Sequence, residues 1–526
     1  MYGRPRTSAI MKRPIVLLLA FFLCGIHASV SAAGPKNKSA ARTPAVAGQF
    51  YPSDPEKLAK AVDGFLSDAV APSEERPIAI VCPHAGYIYS GQIAADAYKQ
   101  ASKHAYDLVV ILGVNHTTAG FDGVAICPGS GFETPLGTAA IDEALARTIT
   151  AADKRFKFDE AVHGREHSIE VQLPFIQRLF PNAKILPAVV ASSDPDLCVK
   201  FGEALARAVA GRSVLIVASS DLSHYPGYED AARVDRKTLE AMSSLDPDVF
   251  RSAISQQMNS GVPEIGTCAC GEDPILAAMA AAKKLGATGA RIISYANSGD
   301  TSVGDRSRVV GYGAVVFVAG KSSSSLDHPA KPESEKDRNA ALTGGLTEDQ
   351  KAALLSFARE TIVRYLTTET TPLARGFDPA LQLDQGAFVT LKKKGDLRGC
   401  IGHMAEDMPL CQVVGFCALQ SAFNDRRFSP VVLGELPDID IEISVLTPYR
   451  RVGGYDEIRI GRDGVLMEKS GRSAVFLPSV AVDQGWNREE MLSHLSAKAG
   501  LSSDAWKRDA VFYTFRAVAF SESELH

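Results

Sequence analysis

The sequence lacks several short motifs that would assign its chemistry directly. Its nine cysteines include no C-x-x-C pair, so nothing indicates a zinc ribbon or a thioredoxin-type redox motif. No C-x-x-x-C-x-x-C run occurs, so the chain carries no radical-SAM iron–sulfur cluster of its own. G-x-S-x-G and G-x-x-x-x-G-K-[ST] are also missing, which removes support for serine hydrolysis and for nucleotide hydrolysis.

The chain also has little excess charge of either sign. It has 56 basic and 61 acidic residues and a net charge of −5, which gives no support for a nucleic-acid partner. With 46% hydrophobic and 22% charged residues, the composition is that of a globular protein. A length of 526 residues suggests two or three domains with full cores.

The N-terminus has the pattern of a targeting segment. Its apolar run, Ile15–Ile26, is too short for a comfortable membrane span. Lys12-Arg13 precedes this run, and Val30-Ser-Ala32 supplies the small residues at which signal peptidase cuts. We therefore predict a signal peptide at residues 1–33 and export to the periplasm or the cell exterior, without a stable membrane span after cleavage. An uncleaved anchor is the weaker alternative, and Met11 is an alternative start.

Two regions of different pattern flank a polar stretch. Residues 43–319 alternate strand and helix patterns, which predicts an α/β domain with a mostly parallel central sheet. Residues 320–345 contain four consecutive serines, two prolines and a Gly-Gly pair, which predicts a flexible linker. Residues 346–523 open on the capping-box pattern Thr347-Glu-Asp-Gln350, and their irregular order of strands and helices predicts an α+β domain.

Three apolar runs of the first domain each lead into a polar cluster that contains a histidine. They are Ile78–Cys82 with His84, Leu108–Leu112 with His116, and Val214–Ala218 with Asp221 and His224. Uninterrupted runs of about five apolar residues are typical of parallel strands buried on both faces. Because ligands bind beyond the carboxyl ends of such strands, the pattern favours a metal or acid–base site over three structural loop histidines.

The residues alone leave the third ligand beside His84 and His116 open. The candidates are Asp221, His224 and the pair Cys268-Ala-Cys270. Glycines flank the cysteine pair, which predicts a tight turn that exposes thiols beside a helix start, where the thiolate is favoured. A buried turn with inert thiols is an equal alternative.

A different metal motif is present between these clusters. His163-Gly-Arg-Glu166-His167 matches the inverted zinc-peptidase pattern H-x-x-E-H. A zinc peptidase is therefore a remote alternative, although Gly164 weakens the helix that the motif needs. We predict instead that His167 and Glu170 support the metal site from the same rim.

Five segments of residues 43–319 resemble the Memo family in content and order. They are Pro44–Pro52, Pro83–Tyr87, Glu166–Glu170, Ser219–His224 and Tyr295–Asp300. The resemblance implies a fold similar to that of LigB-type class III extradiol dioxygenases. It also implies that His84, His116 and Cys270 are metal ligands, with Asp221 beside them and His224 at the place of the dioxygenases' acid–base histidine.

This resemblance implies one transition metal ion and a dioxygenase-like oxidoreductase. Extradiol ring cleavage uses Fe(II) held by two histidines and a carboxylate, whereas Cys270 stands here for the carboxylate. A thiolate is a softer ligand that favours iron or copper over zinc, so catechol cleavage does not follow from the fold. The expected substrate is a small molecule or a protein side chain. Asp221 is expected to orient His224 or to raise its pKa.

The second domain centres on Leu397-Arg-Gly-Cys-Ile-Gly402. The two glycines permit close backbone approach or positive φ, and Arg398, Cys400 and Asp425 can form a thiol site beside a cation. A hairpin turn with a packed cysteine and a structural Arg–Asp pair is an equal alternative. With Asn424–Pro430 and Gly471–Trp486, this motif resembles the AMMECR-type domain, which implies a fold but no established reaction.

Together the two resemblances point to components B and A of the AmmeMemoRadiSam system, which implies a radical-SAM protein as partner. The alternative function is a non-catalytic metal-carrying or maturation factor that works with that partner. The predicted export signal argues against a radical-SAM partner, since radical-SAM clusters are normally cytosolic. We also expect a transient contact between the two domains, in which the face of Cys400 covers the metal site.

Overall fold

A computed structural model describes residues 41–320, the first half, and residues 345–525, the second half. The predicted signal peptide lies outside the described residues, as does the predicted linker apart from its two end residues. Among the helices of the described ranges, none is both long enough and apolar enough to cross a membrane.

The first half is built on a mixed, mostly parallel sheet flanked by helices. Its helices are α1 (Pro55–Asp68), α2 (Tyr87–Ala101), α3 (Glu143–Thr150), α4 (Glu160–Gly164), α5 (Leu173–Leu179), α6 (Pro195–Ala208), α7 (Tyr228–Met242), α8 (Pro247–Met258) and α9 (Glu272–Lys284). Its strands are β1 (Pro77–Cys82), β2 (Leu108–Gly113), β3 (Gly123–Ile126), β4 (Gly131–Thr134), β5 (Gly137–Ala140), β6 (Phe156–Phe158), β7 (Lys184–Ala191), β8 (Val214–Ser219), β9 (Gly289–Asn297) and β10 (Gly311–Val318).

The eight strands of the central sheet follow the order β6-β3-β7-β2-β8-β1-β10-β9. The pairs β3–β6, β2–β7, β2–β8 and β1–β8 are parallel, and the remaining pairs are antiparallel. The predicted α/β class with a mostly parallel sheet is confirmed.

The central strands are buried because helices cover both faces of the sheet. Every residue of β2 and β8 is buried. Since successive side chains of a strand point to opposite faces, Val110 and Leu112 join one apolar cluster while Val109 and Ile111 join the other. The continuous apolar runs of the sequence therefore fill two cores, one on each face.

The second half is an α+β unit, as predicted. Its helices are α10 (Glu348–Thr368), α11 (Leu410–Leu419), α12 (Pro478–Asp483) and α13 (Arg488–Lys498). Its strands are β11 (Ala387–Lys393), β12 (Asp396–His403), β13 (Ile439–Leu446), β14 (Arg450–Val452), β15 (Gly464–Lys469), β16 (Arg472–Phe476), β17 (Val511–Phe515) and β18 (Ala517–Ser521). They form two antiparallel sheets, β12-β11-β13-β18 and β14-β17-β15-β16.

Two segments bear on the sheet topology of the second half. Strands β17 and β18 follow each other in the chain but belong to different sheets. The break falls at Arg516, whose backbone N–H and C=O both pair with Thr447 at 2.8 Å. Leu397–Gly402 lies inside strand β12 and is not a turn.

The glycine before Cys400 allows a close backbone approach. A Cβ at Gly399 would lie 2.2 Å from the carbonyl oxygen of Ser421, so only glycine fits there. The hairpin turn itself is Lys394-Gly395, where φ is +55° and +90°.

An ion pair with a fully buried carboxylate joins the two halves. Arg375 donates to Asp96 at 2.7 Å, and the side chain of Asp96 is 0% exposed. Arg364 also pairs with Asp68, and Lys57 pairs with Glu369 at 2.7 Å on the surface. Because the carboxylate of Asp96 is shielded from water, losing its cation partner costs more stability than losing one partner of an exposed ion pair.

We predict that Arg375→Ala destabilises the protein more than an exposed pair of the same chemistry would. Loss of the guanidinium leaves the buried Asp96 charge without its cation, at a cost of about 1–3 kcal/mol. The control is Arg178→Ala, which breaks an ion pair with Asp63 whose partners are 42% and 52% exposed; it is expected to cost under about 1 kcal/mol. Urea unfolding of the full chain measures both, and equal shifts would contradict the prediction.

Candidate metal centre

Three adjacent strands bring the predicted histidine clusters to one edge of the sheet. In the order β2-β8-β1 all neighbours run parallel, so their carboxyl ends lie side by side. His84 follows β1, His116 follows β2, and Asp221 with His224 follows β8. Cys270 reaches the same edge from the loop before α9, since its backbone N–H donates to the carbonyl of Asp221 at 3.2 Å.

The hydrogen bonds of His84 assign its tautomer. Its Nδ1 lies 3.0 Å from the hydroxyl oxygen of Ser219. That hydroxyl donates its only hydrogen to the carbonyl of Ser168 at 2.6 Å, so it can only accept from His84. The proton of His84 therefore sits on Nδ1, and the lone pair of Nε2 faces the Sγ of Cys270 at 3.2 Å.

Burial keeps His84 neutral and therefore suited to binding a metal. The ring is 2% exposed. Burial first, and then the neighbouring imidazoles of His116 and His167, holds its pKa well below the usual value. A neutral imidazole with an available Nε2 is the form that ligates metal ions.

His116 is oriented by a buried carboxylate. Glu166 accepts from the backbone N–H of His116 at 2.7 Å and lies 2.9 Å from its Nδ1. Burial alone raises the pKa of Glu166, but the bonds from His116 and from the backbone of Ser168 lower it to about 2. Burial opposes protonation of His116, yet the hydrogen bond and charge of Glu166 outweigh it and raise the pKa of His116. With the carboxylate on Nδ1, Nε2 is the potential ligand atom of His116.

His167 belongs to the cluster itself and not only to its support. Its ring stacks on that of His116 with centroids 4.6 Å apart, and it meets the ring of His84 edge-on at 5.5 Å. The ring of Phe50 covers it at 4.6 Å. One potential ligand atom from each of the three histidines lies within 4.8 Å of the others.

The three histidines form a first group of potential ligands, and a second group shares His84 with it. His84, Asp221 and Cys270 also have potential ligand atoms within 4.8 Å of one another. Oδ1 of Asp221 accepts from the backbone N–H of His84 at 2.8 Å, and its Oδ2 lies 4.0 Å from Nε2 of His84. Burial raises the pKa of Asp221, and it raises that of the Cys270 thiol well above the usual value. The predicted ligands His116 and Cys270 thus stand in different groups, joined through His84.

His224 lies beside the second group with an unsatisfied ring nitrogen. Its Nε2 is 3.9 Å from Oδ2 of Asp221 and is buried without a hydrogen-bond partner among the described residues. The Asp221 carboxylate raises the pKa of His224, as expected, but burial outweighs it, so the pKa of His224 lies below its usual value. An orphaned buried nitrogen beside a cluster of donors fits a site that takes up a further group.

Glu170 makes its hydrogen bonds to the segment around residues 42–51. It is fully buried and accepts from Arg42 at 2.5 Å, from Tyr51 at 2.6 Å, and from the backbone N–H groups of Ala45 and Val46. It therefore ties the segment around residues 42–51 to the domain. Phe50 of this segment covers His167, and the predicted support of the metal site by Glu170 stays a prediction.

The inverted zinc-peptidase pattern is not realised. Helix α4 ends at Gly164, so His163 and His167 do not share one helical face. Nε2 of His163 lies 2.9 Å from the carbonyl oxygen of Ala125, and the ring is buried away from the cluster. The glycine ends the helix inside the motif, which removes the geometry that the peptidase interpretation requires.

In the second half, Arg398 and Asp425 do not pair with each other near Cys400, because each has a different charged partner. Arg398 forms a two-bond pair with Glu435 at 2.9 and 3.1 Å. Asp425 pairs with Arg427, which lowers the pKa of Asp425, and it accepts from the backbone N–H of Cys400 at 2.9 Å. The cation bound to the Cys400 backbone is thus Arg427, which donates to the Cys400 carbonyl at 3.0 Å.

Sequence comparisons identify both halves. The family model described as Memo-like protein matches residues 42–316, just over half of the 526-residue chain. The chain belongs to the Memo-like family. The AMMECR1 family model matches residues 355–520, so the protein joins a Memo-like half (residues 41–320) to an AMMECR1 half (residues 345–525).

Its relatives match the Memo-like half. A MEMO1 family protein of Nitrosopumilus maritimus is 36% identical over 283 residues, which cover 53% of this chain and 99% of that protein. One of Methanosarcina acetivorans is 40% identical over 279 residues, covering 52% and 98%. Among solved structures, an uncharacterized protein of Pyrococcus horikoshii has 36% sequence identity and a TM-score of 0.33, covering 34% of this chain and 94% of that one.

We predict that Glu166→Gln lowers the pKa of His116 in the metal-free protein. Without the Glu166 carboxylate, burial is the largest remaining influence on His116, and it disfavours the protonated form. The ring then titrates at lower pH, as NMR of the ring protons measures, with His116→Gln assigning the signal. Glu240→Gln, an exposed glutamate of α7, is the matched control and is expected to leave the titration unchanged. An unchanged or raised pKa in Glu166→Gln would contradict the assigned role of Glu166.

Proposed function

We propose that the Memo-like half binds one transition metal ion, iron or copper rather than zinc, and acts as an oxidoreductase. The substrate class is a small molecule or a protein side chain. The proposal rests on the position of His84, a buried neutral imidazole. His84 belongs to both groups of potential ligands, and its Nε2 lies 3.2 Å from the thiol of Cys270. Imidazole and thiolate together favour the softer first-row ions.

His84, His116 and Cys270 are the residues proposed to hold the ion. His167 is a fourth candidate, because its ring lies against both other histidines. The buried thiol of Cys270 loses its proton on binding, so metal affinity is expected to rise with pH. Iron or copper bound here supplies one-electron redox chemistry.

Asp221 and His224 are proposed to handle protons at this edge. Asp221 is held by the backbone N–H groups of His84 and Ala85, and its second oxygen lies 3.9 Å from Nε2 of His224. Because burial lowers the pKa of His224, the ring is neutral at pH 7 and able to accept a proton. Its unpartnered nitrogen makes it the proposed general base, with Asp221 stabilising the protonated ring.

The second candidate function is a metal carrier or maturation factor that works with a radical-SAM protein. Its support is the number of donors, since three histidines, Cys270 and Asp221 are enough to close the coordination of one ion. A closed site stores or delivers a metal, whereas catalysis needs an open position. Metal-dependent turnover therefore separates the two functions.

We predict that Cys270→Ala loses most of the bound metal without unfolding the Memo-like half. Removal of the thiolate takes away the soft ligand, so elemental analysis of the purified full chain is expected to fall from about one ion towards zero. Cys400→Ala, a cysteine of the AMMECR1 half, is the control and is expected to keep the metal. Full retention in Cys270→Ala would reject the thiolate ligand and leave His167 as the third ligand.

We predict that His224→Ala keeps the metal but loses turnover. Loss of a general acid–base group typically costs roughly 10²–10⁴-fold in rate. Metal content and the rate of metal-dependent substrate oxidation are measured on the same preparations. Loss of stoichiometric metal in this variant would make His224 a ligand, and unchanged turnover would remove it from catalysis.

A further inference from the structure

One loop of the Memo-like half touches both the AMMECR1 half and the segment that carries His224. This loop, residues 298–310 and called here the bridging loop, connects β9 to β10. Its Asp300, Ser302 and Arg306 face the AMMECR1 half, and its Val309 pairs with the chain next to His224.

On one side, the start of α11 grips the bridging loop. Arg306 donates to the backbone carbonyl of Asp407 and to the side-chain oxygen of Gln412, both at 2.7 Å. Gln412 in turn donates to Asp300 at 3.3 Å. The packing is tight nearby, since a Cβ at Gly415 would lie 2.6 Å from the hydroxyl of Ser302. The AMMECR1 half thus holds the loop by charge-assisted bonds and by close contact.

On the other side, the bridging loop holds the chain that follows His224. The backbone N–H of Tyr225 donates to the carbonyl of Val309 at 2.7 Å, and that of Tyr228 donates to the carbonyl of Arg306 at 3.1 Å. The guanidinium of Arg306 lies over the ring of Tyr228 at 4.0 Å, and the Tyr228 hydroxyl donates to Asp300 at 2.5 Å. Arg306 therefore contacts Gln412 and the Tyr225–Tyr228 segment at once.

His224 needs this support because the next residue is strained. Tyr225 has a φ of +79°, a region that costs a residue with a side chain about 1–3 kcal/mol. Such a conformation persists only where its surroundings fix it. His224 itself is bonded on its far side to Thr267 of the Cys270 loop, through N–H to carbonyl at 3.1 Å. The bridging loop thus holds the strained turn at Tyr225 from the side opposite Thr267, and this contact is called here the clamp. The turn follows His224, whose ring nitrogen Nε2 has no hydrogen-bond partner among the described residues.

We propose that the AMMECR1 half positions His224 of the Memo-like half, with Arg306 as the positioning residue that connects Gln412 to the strained turn. The proposal rests on the proposed function, in which His224 is the general base. It assigns the AMMECR1 half a structural task at the metal centre that needs no chemistry of its own.

Hydrogen exchange of the metal-free full chain tests the clamp without reference to any reaction. Gln412→Ala removes one of the two acceptors that the AMMECR1 half offers to Arg306. It is expected to speed exchange about tenfold at the N–H groups of Tyr225 and Tyr228, with little change in the urea midpoint. Gln484→Ala, an exposed glutamine of the same half, is the control. Gln412→Glu keeps an acceptor for Arg306 but loses the donor to Asp300, so it is expected to restore slow exchange only in part.

Unchanged exchange at Tyr225 and Tyr228 in Gln412→Ala would overturn the proposal, as would an equal effect of Gln484→Ala. Kinetics of the metal-loaded full chain supply the second arm, in which Gln412→Ala is expected to lower kcat with KM unchanged. If Gln412→Ala speeds exchange but the wild-type protein shows no metal-dependent turnover, the proposed function is rejected and the clamp remains. Faster exchange with unchanged kcat would reject the positioning of His224.

Discussion

The candidate metal centre depends on the parallel pairing of β2, β8 and β1. Because these neighbours run in one direction, three loops emerge side by side, and a strand reversed at any of these places would send its histidine to the opposite edge. The apolar runs that fix the pairing fill cores on both faces. The same residues that stabilise the sheet therefore also gather His84, His116 and Asp221, which is the usual arrangement at the carboxyl edge of α/β sheets.

Burial sets the protonation states around this edge. It keeps His84 neutral, raises the pKa of Asp221 and of the Cys270 thiol, and leaves Glu166 as the firmly ionised group. Glu166 holds its charge because His116 and backbone N–H groups solvate it. The result is a set of candidate ligands in which the Glu166 carboxylate orients His116 and the Cys270 thiol has to lose its proton before it can bind a metal. A cation supplies the charge that makes this deprotonation favourable.

Local pattern predicted the strands, the α/β and α+β classes and the convergence of His84, His116, Asp221 and His224, because apolar periodicity is a property of neighbouring residues. It did not predict contacts between side chains far apart in sequence. The bond between Glu170 and Arg42, which lies 128 positions away, is one such contact. The sequence also did not predict that Glu166 pairs with His116 or that His167 joins the cluster of histidines, for the same reason. Glu166 and His167 are nevertheless neighbours in one short polar segment.

The central claim is that one ion is held jointly by histidines and the Cys270 thiolate. X-ray absorption spectroscopy of the metal-loaded full chain tests it most directly, because sulfur and nitrogen neighbours scatter differently. We expect one sulfur neighbour together with imidazole nitrogens, and we expect the sulfur signal to be lost from any metal that the Cys270→Ala variant retains. A first shell of nitrogen and oxygen alone in the unaltered protein would contradict it.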